Sequence, residues 1–397
     1  MKLMVLKVNY RTILNEIINK HIEIGIEVEK HRVNQKQSLS LKPFPEDLSA
    51  SLSPYVKREF CTAQLEFTMP YCADSDQNVD LIRTIIRRAD QQLNPEEHLW
   101  PYSCPPKLSC QPDEVPISQY PKESTEYRRQ SCQRYDVRRL LNNGVHINLS
   151  FSKEAMTYLI KQLNFKDTDE LYLQIAQHFM YNRWLLTYLF GATPFAGRDY
   201  FDNNPLDRPV RSIRSSSLGF ANDVRGDYRS VQHYIGAIDR AVEHGELLQP
   251  REYYESVRLK SGNSKDPHRI LEHGITHLEL RTFDLNPLII SAVTEDQLRL
   301  IQIMTLYFVY QPRWSGTEVM KNLAAATKMN EQVALETLDQ QCSYTTRGLA
   351  LLTDILSFIN EHQLGKVYVE VINKFSECFK KPTTSLAYRV YENFAAY

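Results

Sequence analysis

Four short segments of the chain alternate strictly between apolar and polar residues. In residues 22–29 the even positions are Ile, Ile, Ile and Val, whereas Glu27 and Glu29 occupy odd positions. Successive side chains of a β-strand point to opposite faces, so this alternation predicts a strand with one buried face and one polar face. The same period of two predicts strands at 60–69, 145–151 and 276–285.

The polar faces of these predicted strands carry an unusual set of side chains. They are Glu27, Glu29, Glu66, His146, Glu279 and Arg281. The polar face of a single strand of this kind is ordinarily exposed to solvent, but four such faces together favour a functional site. Crowded carboxylates repel one another and need a compensating cation. Oxygen ligands favour Mg²⁺ or Mn²⁺, which keep positions open for phosphate oxygens, so the pattern predicts a divalent ion together with a nucleotide.

Longer segments have the 3.6-residue period of helices, at 76–92, 153–163, 168–190 and 229–244. After Pro287, Thr294 and Gln297 have the spacing of a capping box, and the following helix is predicted to extend to Val309. The rest of the chain is predicted to be helical, whereas the proline-rich residues 101–121 are predicted to form an irregular loop. We therefore expect an α+β fold, with a catalytic domain at 1–290 and a helical C-terminal region at 291–397.

Composition narrows the class of protein. The 397 residues are 42% hydrophobic and 24% charged, which is enough to form a sizeable core, and the formal charge of −1 argues against a nucleic-acid partner. The seven cysteines include no zinc-like pair, so we expect reduced thiols. Neither a signal peptide nor a membrane span is recognisable, which predicts a cytoplasmic protein without a membrane partner.

Sequence motifs that include these polar strands occur in one order along much of the chain. They are GIEVE at 25–29, FCTAQLE at 60–66, LWP at 99–101, YR at 127–128, GVHIN at 144–148, WLLTYLFGATP at 184–194, RSIR at 211–214, VRLK at 257–260 and LELRTFDLNP at 278–287. With these motifs the sequence resembles the bacterial glutamate–cysteine ligase family, particularly the ligase half of bifunctional fusions that make glutathione. The resemblance implies a fold related to glutamine synthetase, in which a curved antiparallel sheet forms a funnel and the helices pack outside it.

The resemblance also implies roles for individual residues. The metal ligands would be Glu27, Glu29, Glu59, Glu66, His146 and Glu279, where Glu59 replaces an aspartate that is common in the family. Arg281 and Arg214 would handle the transferred phosphate and the glutamate, and Arg128, also counted as catalytic, would line the acceptor and phosphate region with Tyr127 and Tyr254. ATP binding is assigned to Arg258 and Lys260, and substrate binding to Tyr127, Tyr254, Phe60 and Phe220. Phe220 replaces a tyrosine that helps relatives to hold the cysteine acceptor.

The function implied is an ATP- and Mg²⁺-dependent (or Mn²⁺-dependent) ligase. It would convert L-glutamate into γ-glutamyl phosphate, from which the amine of L-cysteine displaces phosphate to give γ-glutamylcysteine, the first step of glutathione biosynthesis. Two alternatives remain open, namely a γ-glutamyl ligase that uses a different amine and a catalytically inactive homologue that acts as a binding module. Only a helical segment follows Pro287, so glutathione synthetase activity is expected to be absent.

Overall fold

The computed structural model describes residues 11–197, 199–203, 206–219 and 224–395. Within them, one antiparallel sheet of seven strands forms the centre of the fold. Its strands are β1 (Ile22–Asn34), β2 (Val56–Arg58), β3 (Gln64–Thr68), β4 (Glu97–Leu99), β5 (Val145–Phe151), β6 (Val257–Lys260) and β7 (His277–Phe283). The order across the sheet is β2-β3-β1-β5-β7-β6, and β4 pairs with the last residues of β1.

Helices cover the apolar side of the sheet and form the C-terminal part of the chain. They are α1 (Glu46–Ser51), α2 (Ser75–Gln92), α3 (Lys122–Arg134), α4 (Val137–Leu140), α5 (Lys153–Leu163), α6 (Thr168–Phe190), α7 (Val231–Glu243), α8 (Arg269–His273), α9 (Glu295–Val309), α10 (Gly316–Ala334), α11 (Thr345–His362), α12 (Lys366–Lys380) and α13 (Leu386–Ala395). The predicted α+β class, antiparallel sheet and helical C-terminal region are confirmed.

The apolar face of β1 explains how the sheet is anchored. Ile22, Ile24, Ile26 and Val28 are fully shielded from solvent, and helix α2 packs against this strand. Burying each of these side chains contributes about 1.5–3 kcal/mol relative to leaving it exposed. The opposite face of the same strand, which carries Glu27 and Glu29, is thereby held in one register.

That register places charged residues of neighbouring strands directly opposite one another. Glu27 pairs with His146 of β5, and Glu29 pairs with Glu66 of β3. On the other side of β5, Glu279 of β7 stands between Asn148 and Arg258. Directly opposed residues have Cβ atoms about 4.5–5.5 Å apart, so strand pairing alone brings these side chains together.

Several predicted boundaries differ from the structure. The strand expected at 60–69 begins only at Gln64, because Phe60 and Cys61 instead join a small apolar cluster with the proline-rich loop. The capping box at the start of α9 is half formed. The Thr294 side chain accepts a hydrogen bond from the Gln297 backbone N–H, but the reciprocal bond from the Thr294 N–H to the Gln297 side chain is not formed among the described residues.

The two predicted parts of the chain, 1–290 and 291–397, contribute to the same hydrophobic core. Helix α6 packs against β6 and β7 on one side and against α9 and α10 on the other. The domain division stays a prediction. Among the described helices, none is both long and apolar enough to cross a bilayer.

Candidate active site

The polar face of the sheet lines a large cavity of about 690 Å³. Residues from β1, β3, β5, β6 and β7 form its floor, and residues from the loops before β2 and after β6 form its sides. We call it the large cavity. Most of the residues that were predicted as site residues face it, namely Glu27, Glu29, Glu59, Phe60, Glu66, Tyr127, Arg128, His146, Tyr254, Arg258, Lys260, Glu279 and Arg281.

Three of these side chains form a compact group. Glu27, His146 and Glu279 each offer a possible ligand atom, and these atoms all lie within 4.8 Å of one another. His146 Nδ1 lies 3.4 Å from Glu27 Oε2 and 3.8 Å from Glu279 Oε1. Asn148 Nδ2 donates a hydrogen bond of 2.9 Å to Glu27 Oε1. Two carboxylates and an imidazole from three adjacent strands therefore converge on one point.

Positive charges surround Glu279. Arg281 Nη1 donates to its Oε1 at 2.6 Å, while Arg258 Nη1 and Lys260 Nζ lie 3.6 and 3.9 Å from its Oε2. Burial acts to raise the pKa of Glu279, but Arg281, Arg258 and Lys260 outweigh it and hold that pKa well below its usual range. Glu279 is consequently ionised without any bound ion.

A second group of carboxylates lies beside this triad. Burial raises the pKa of Glu66 to about 8, and the charges of Glu59 and Glu27 add to the effect. Burial, and then the charge of Glu29, also raises the pKa of Glu59. Thr68 Oγ1 donates a hydrogen bond of 2.8 Å to Glu66 Oε1, which acts in the opposite direction. Burial, with crowding of acids as the second cause, explains these shifts.

Aromatic and basic side chains line the wall opposite the carboxylates. The hydroxyl oxygens of Tyr127 and Tyr254 lie 3.2 Å apart, and the Arg281 guanidinium lies 5.6 Å from the centre of the Tyr254 ring. Arg128 Nη1 donates to the backbone carbonyls of Ser118 and Tyr120 at 3.0 and 3.1 Å, which fixes its guanidinium at the cavity wall.

A small cavity of about 220 Å³ adjoins the large one. Six residues line both cavities and thus form their common wall, namely Glu29, Glu59, Phe60, His146, Tyr254 and Arg281. Beyond that wall the small cavity is rich in arginine, with Arg139, Arg183, Arg214 and Arg225 among its lining residues. Thr327, Asn330 and Glu331 of α10 close its far side, so the helical C-terminal region contributes to this site.

Arg214 lies at the small cavity rather than the large one. Its Nη1 donates to the carbonyl oxygens of Arg281 and Phe283, both at 3.1 Å. Gly144 makes this position possible, because a Cβ at residue 144 would lie 2.0 Å from Arg214 Nη2. The Gly144 N–H also donates to Glu29 Oε2 at 2.8 Å. One glycine therefore accommodates the arginine and orients the carboxylate.

The side chains of the large cavity fit a divalent cation. His146 Nε2 and Glu279 Oε2 are buried and have no hydrogen-bond partner among the described residues. Buried polar atoms without partners are costly and ordinarily indicate an ion, water or ligand. The donor set of carboxylate oxygens with one imidazole suits Mg²⁺ or Mn²⁺ better than zinc.

The sequence profile of the glutamate–cysteine ligase family matches residues 10–333, which is most of the chain. The chain belongs to the glutamate–cysteine ligase family. It is 31% identical over 379 residues to the bifunctional glutathione biosynthesis protein of Streptococcus agalactiae, covering 93% of this chain and 49% of that protein. The chain thus spans about half the length of the curated relatives it matches.

Solved structures of the family have the same fold. The crystal structure of a bifunctional glutathione synthetase from Pasteurella multocida matches with a TM-score of 0.85 at 25% identity, covering 98% of this chain and 52% of that one. The glutamate–cysteine ligase from Francisella tularensis in complex with AMP matches with a TM-score of 0.82 at 17% identity, covering 94% and 85% of the two chains.

Phe220 lies outside the described residues, so its predicted role stays a prediction. Some residues at the site were not predicted as site residues. They are Lys57, Tyr71, Asn148, Arg251, Lys265 and His277 at the large cavity, and Arg183, Glu255, Thr327, Asn330 and Glu331 at the small one. Asn148 and His277 alternate with apolar residues on predicted strands, which was a usable signal. No local pattern indicates that α10 reaches the site.

Proposed function

We propose that this chain is an ATP-dependent ligase that forms γ-glutamylcysteine from L-glutamate and L-cysteine through γ-glutamyl phosphate. The observation that carries the proposal is the wall shared by the two cavities. A phosphoryl transfer between two bound substrates needs adjoining sites with cationic groups at their junction. Arg281 lies at this junction, with carboxylates on one side and arginines on the other.

The large cavity is the proposed site of ATP and its divalent ions. Glu27, His146 and Glu279 would hold one ion, and Glu29, Glu59 and Glu66 lie where they could hold another. When bound, such ions neutralise phosphate charge and polarise phosphoryl oxygens. Arg258 and Lys260, which lie within 4 Å of Glu279, are assigned to the phosphates of ATP. That the related ligase from Francisella tularensis was solved with AMP agrees with a nucleotide site in this fold.

Glutamate is assigned to the common wall and the small cavity. Its γ-carboxylate must approach the phosphates, and the Arg281 guanidinium is placed to neutralise both groups as charge builds up during transfer. Because Glu279 and Glu29 raise the pKa of Arg281 further above its usual value, this cation persists at every working pH. Arg214 would then act on glutamate through the small cavity, or position Arg281 through the backbone of β7.

The amine acceptor is assigned to the aromatic wall of the large cavity. Tyr127, Arg128, Tyr254 and Phe60 are the described residues proposed to line the acceptor site, and Phe220 is assigned there from the sequence. Phenylalanine at 220 offers no hydroxyl, and a missing buried hydrogen bond changes discrimination by ~1–3 kcal/mol. A different amine is therefore the alternative acceptor. The seven free thiols fit the cytoplasmic location that we also propose.

An acceptor panel tests the function. The purified chain is incubated with ATP, Mg²⁺ and L-glutamate, and each amine is tested by ADP release and by product mass. We expect L-cysteine to give the highest rate and the mass of γ-glutamylcysteine. A faster rate with another amine would reassign the acceptor. No ADP release that depends on both glutamate and an amine would identify a binding module instead.

A further inference from the structure

A third cavity, of about 250 Å³, lies on the opposite face of the sheet from the candidate active site. We call it the rear cavity. It lies where β1, α2, the end of β4 and the loop 287–290 meet. Its walls are mostly apolar, formed by Ile86, Leu99, Pro101, Pro287, Leu288, Ile289 and Ile290. Lys30, Arg87 and Asp90 are its charged lining residues.

Lys30 is the unusual member of this lining. It follows Glu29 on β1, and because side chains alternate along a strand it points away from the active-site face. Only 3% of its surface is exposed, and no described residue forms a hydrogen bond or an ion pair within 4.0 Å of its ammonium group. Asp90 attracts it from farther away, but Asp90 Oδ1 accepts the Leu99 N–H at 2.8 Å. A lysine side chain buried to this extent, with no ion pair to a described residue within 4.0 Å of its ammonium group, is costly.

The charge and the volume of the rear cavity indicate what kind of ligand would pair with Lys30. Two cations and one carboxylate line the rear cavity, so its net charge favours an anion. Arg87 is exposed at the mouth and has no ion pair within the described residues. The volume lies below the roughly 300 Å³ at which sites for drug-sized ligands begin, so the ligand is compact. Apolar walls suit a single negative charge attached to a hydrocarbon body.

We propose that the rear cavity binds a small monocarboxylate with an apolar chain, whose carboxylate pairs with Lys30. The chain packs against Ile86, Leu99 and Leu288. This site is separated from the large cavity by the thickness of the sheet. Its occupant is therefore distinct from the substrates assigned to the active-site face.

Calorimetric titration with hexanoate tests this site, and hexanol is the uncharged control ligand. We expect saturable binding of hexanoate that is at least tenfold tighter than that of hexanol, because the charge-assisted pair with Lys30 is lost in the alcohol. Lys30→Met keeps the stem but removes the charge, and should weaken hexanoate at least tenfold. Lys36→Met, which removes an exposed lysine beyond the same strand, should bind like wild type.

A second variant guards against misfolding of Lys30→Met. Ile290 is 45% exposed at the mouth of the cavity, so Ile290→Glu should fold normally and weaken hexanoate by charge repulsion. Saturating ATP, Mg²⁺ and L-glutamate should leave hexanoate binding unchanged. The proposal is overturned if wild type shows no saturable binding, if those substrates displace hexanoate, or if Ile290→Glu binds it as tightly as wild type.

Discussion

The acidic residues of the large cavity form two groups that differ in what balances their charge. Glu279 is surrounded by Arg281, Arg258 and Lys260, and these cations hold its pKa well below the usual range. Glu66 has the Thr68 hydroxyl as its hydrogen-bond donor, and burial among other acids raises its pKa to about 8. Residues of one chemical type on one sheet face thus have opposite ionisation.

The two groups therefore differ in whether their carboxylates are ionised before a divalent ion binds. The pKa values of the two triad carboxylates, Glu27 and Glu279, are lowered, so these groups are ionised in the ion-free chain and are prepared for a cation before one arrives. Near neutral pH, Glu66 becomes fully charged only when a cation offsets its burial and the repulsion of neighbouring acids. Divalent ions should therefore bind first at the triad, and binding at the second group should release protons.

The largest expected effect follows from breaking the triad. Glu279→Gln removes a proposed ligand and leaves Arg281, Arg258 and Lys260 without their common carboxylate. We expect ligation to fall by at least about 10³-fold, since the change affects both ion binding and the placement of the three cations that are assigned to phosphate. Product formation by mass spectrometry measures this, and circular dichroism should show an intact fold.

Glu23→Gln is the matched control for that experiment. Glu23 is another polar-face residue of β1, but it lines neither the large nor the small cavity. Its rate should equal that of wild type. Near-normal turnover of both Glu279→Gln and Glu27→Gln would contradict the assignment of the triad to a metal ion.

The triad is also the part of the site that the sequence predicts best. Strands β1, β5 and β7 each have one apolar and one polar face. The alternation of apolar and polar residues along the sequence shows which side chains share the polar face. Glu27, His146 and Glu279 can therefore be grouped from the amino-acid sequence alone. The strand pairing that brings Glu27 opposite His146 is a consequence of which residues must be buried.

Other features depend on contacts that no local pattern records. Strands β2, β4 and β6 have three or four residues each, too few to display a period. The far wall of the small cavity comes from Thr327 and Asn330, which lie far along the chain from β1. The opposite ionisation of Glu279 and Glu66 depends on which charges surround each carboxylate, and that information exists only in three dimensions.

The second group should contribute less to the stability of the ion-free protein as pH rises. A folded-state pKa of about 8 for Glu66, against about 4.3 in an unfolded chain, means that the folded state binds the additional proton between these values. The contribution of Glu66 to the free energy of unfolding then falls as pH increases from about 4.3 to 8. Burial lowers the pKa of His31, His178 and His277, and these groups act in the opposite direction over part of this range. In EDTA, the urea midpoint of wild type should therefore fall relative to that of Glu66→Gln across this window.

Two comparisons sharpen that result. Glu66→Gln should become more stable relative to wild type as pH rises, because glutamine does not titrate and Glu59 loses one like-charged neighbour, whereas Glu23→Gln should reproduce the wild-type pH dependence. Excess Mg²⁺ should restore wild-type stability at the alkaline end. A difference in urea midpoint between wild type and Glu66→Gln that stays constant over this pH range, or that changes in favour of wild type, contradicts the uncompensated charge that we assign to Glu66.

A smaller effect is the proton release itself. Near pH 7 most Glu66 side chains of the ion-free protein are protonated, so Mn²⁺ binding at this group should release about one proton per chain. Titration calorimetry in two buffers of different ionisation enthalpy measures the number. Glu66→Gln should reduce it, and Glu23→Gln should not. Equal heats in both buffers for wild type would show that no proton leaves.

The smallest expected effect concerns the Thr68 hydroxyl, which favours the ionised form of Glu66. Thr68→Val removes its 2.8 Å hydrogen bond while keeping the side-chain shape. A hydrogen bond to a charged group is worth about 1.5–3 kcal/mol and one pKa unit corresponds to ~1.4 kcal/mol. The pH of half-maximal Mn²⁺ affinity should therefore rise by about one unit.

Thr84→Val on the exposed side of α2 is the control and should leave this pH unchanged. A downward shift in Thr68→Val would mean that the hydroxyl opposes ionisation of Glu66 instead.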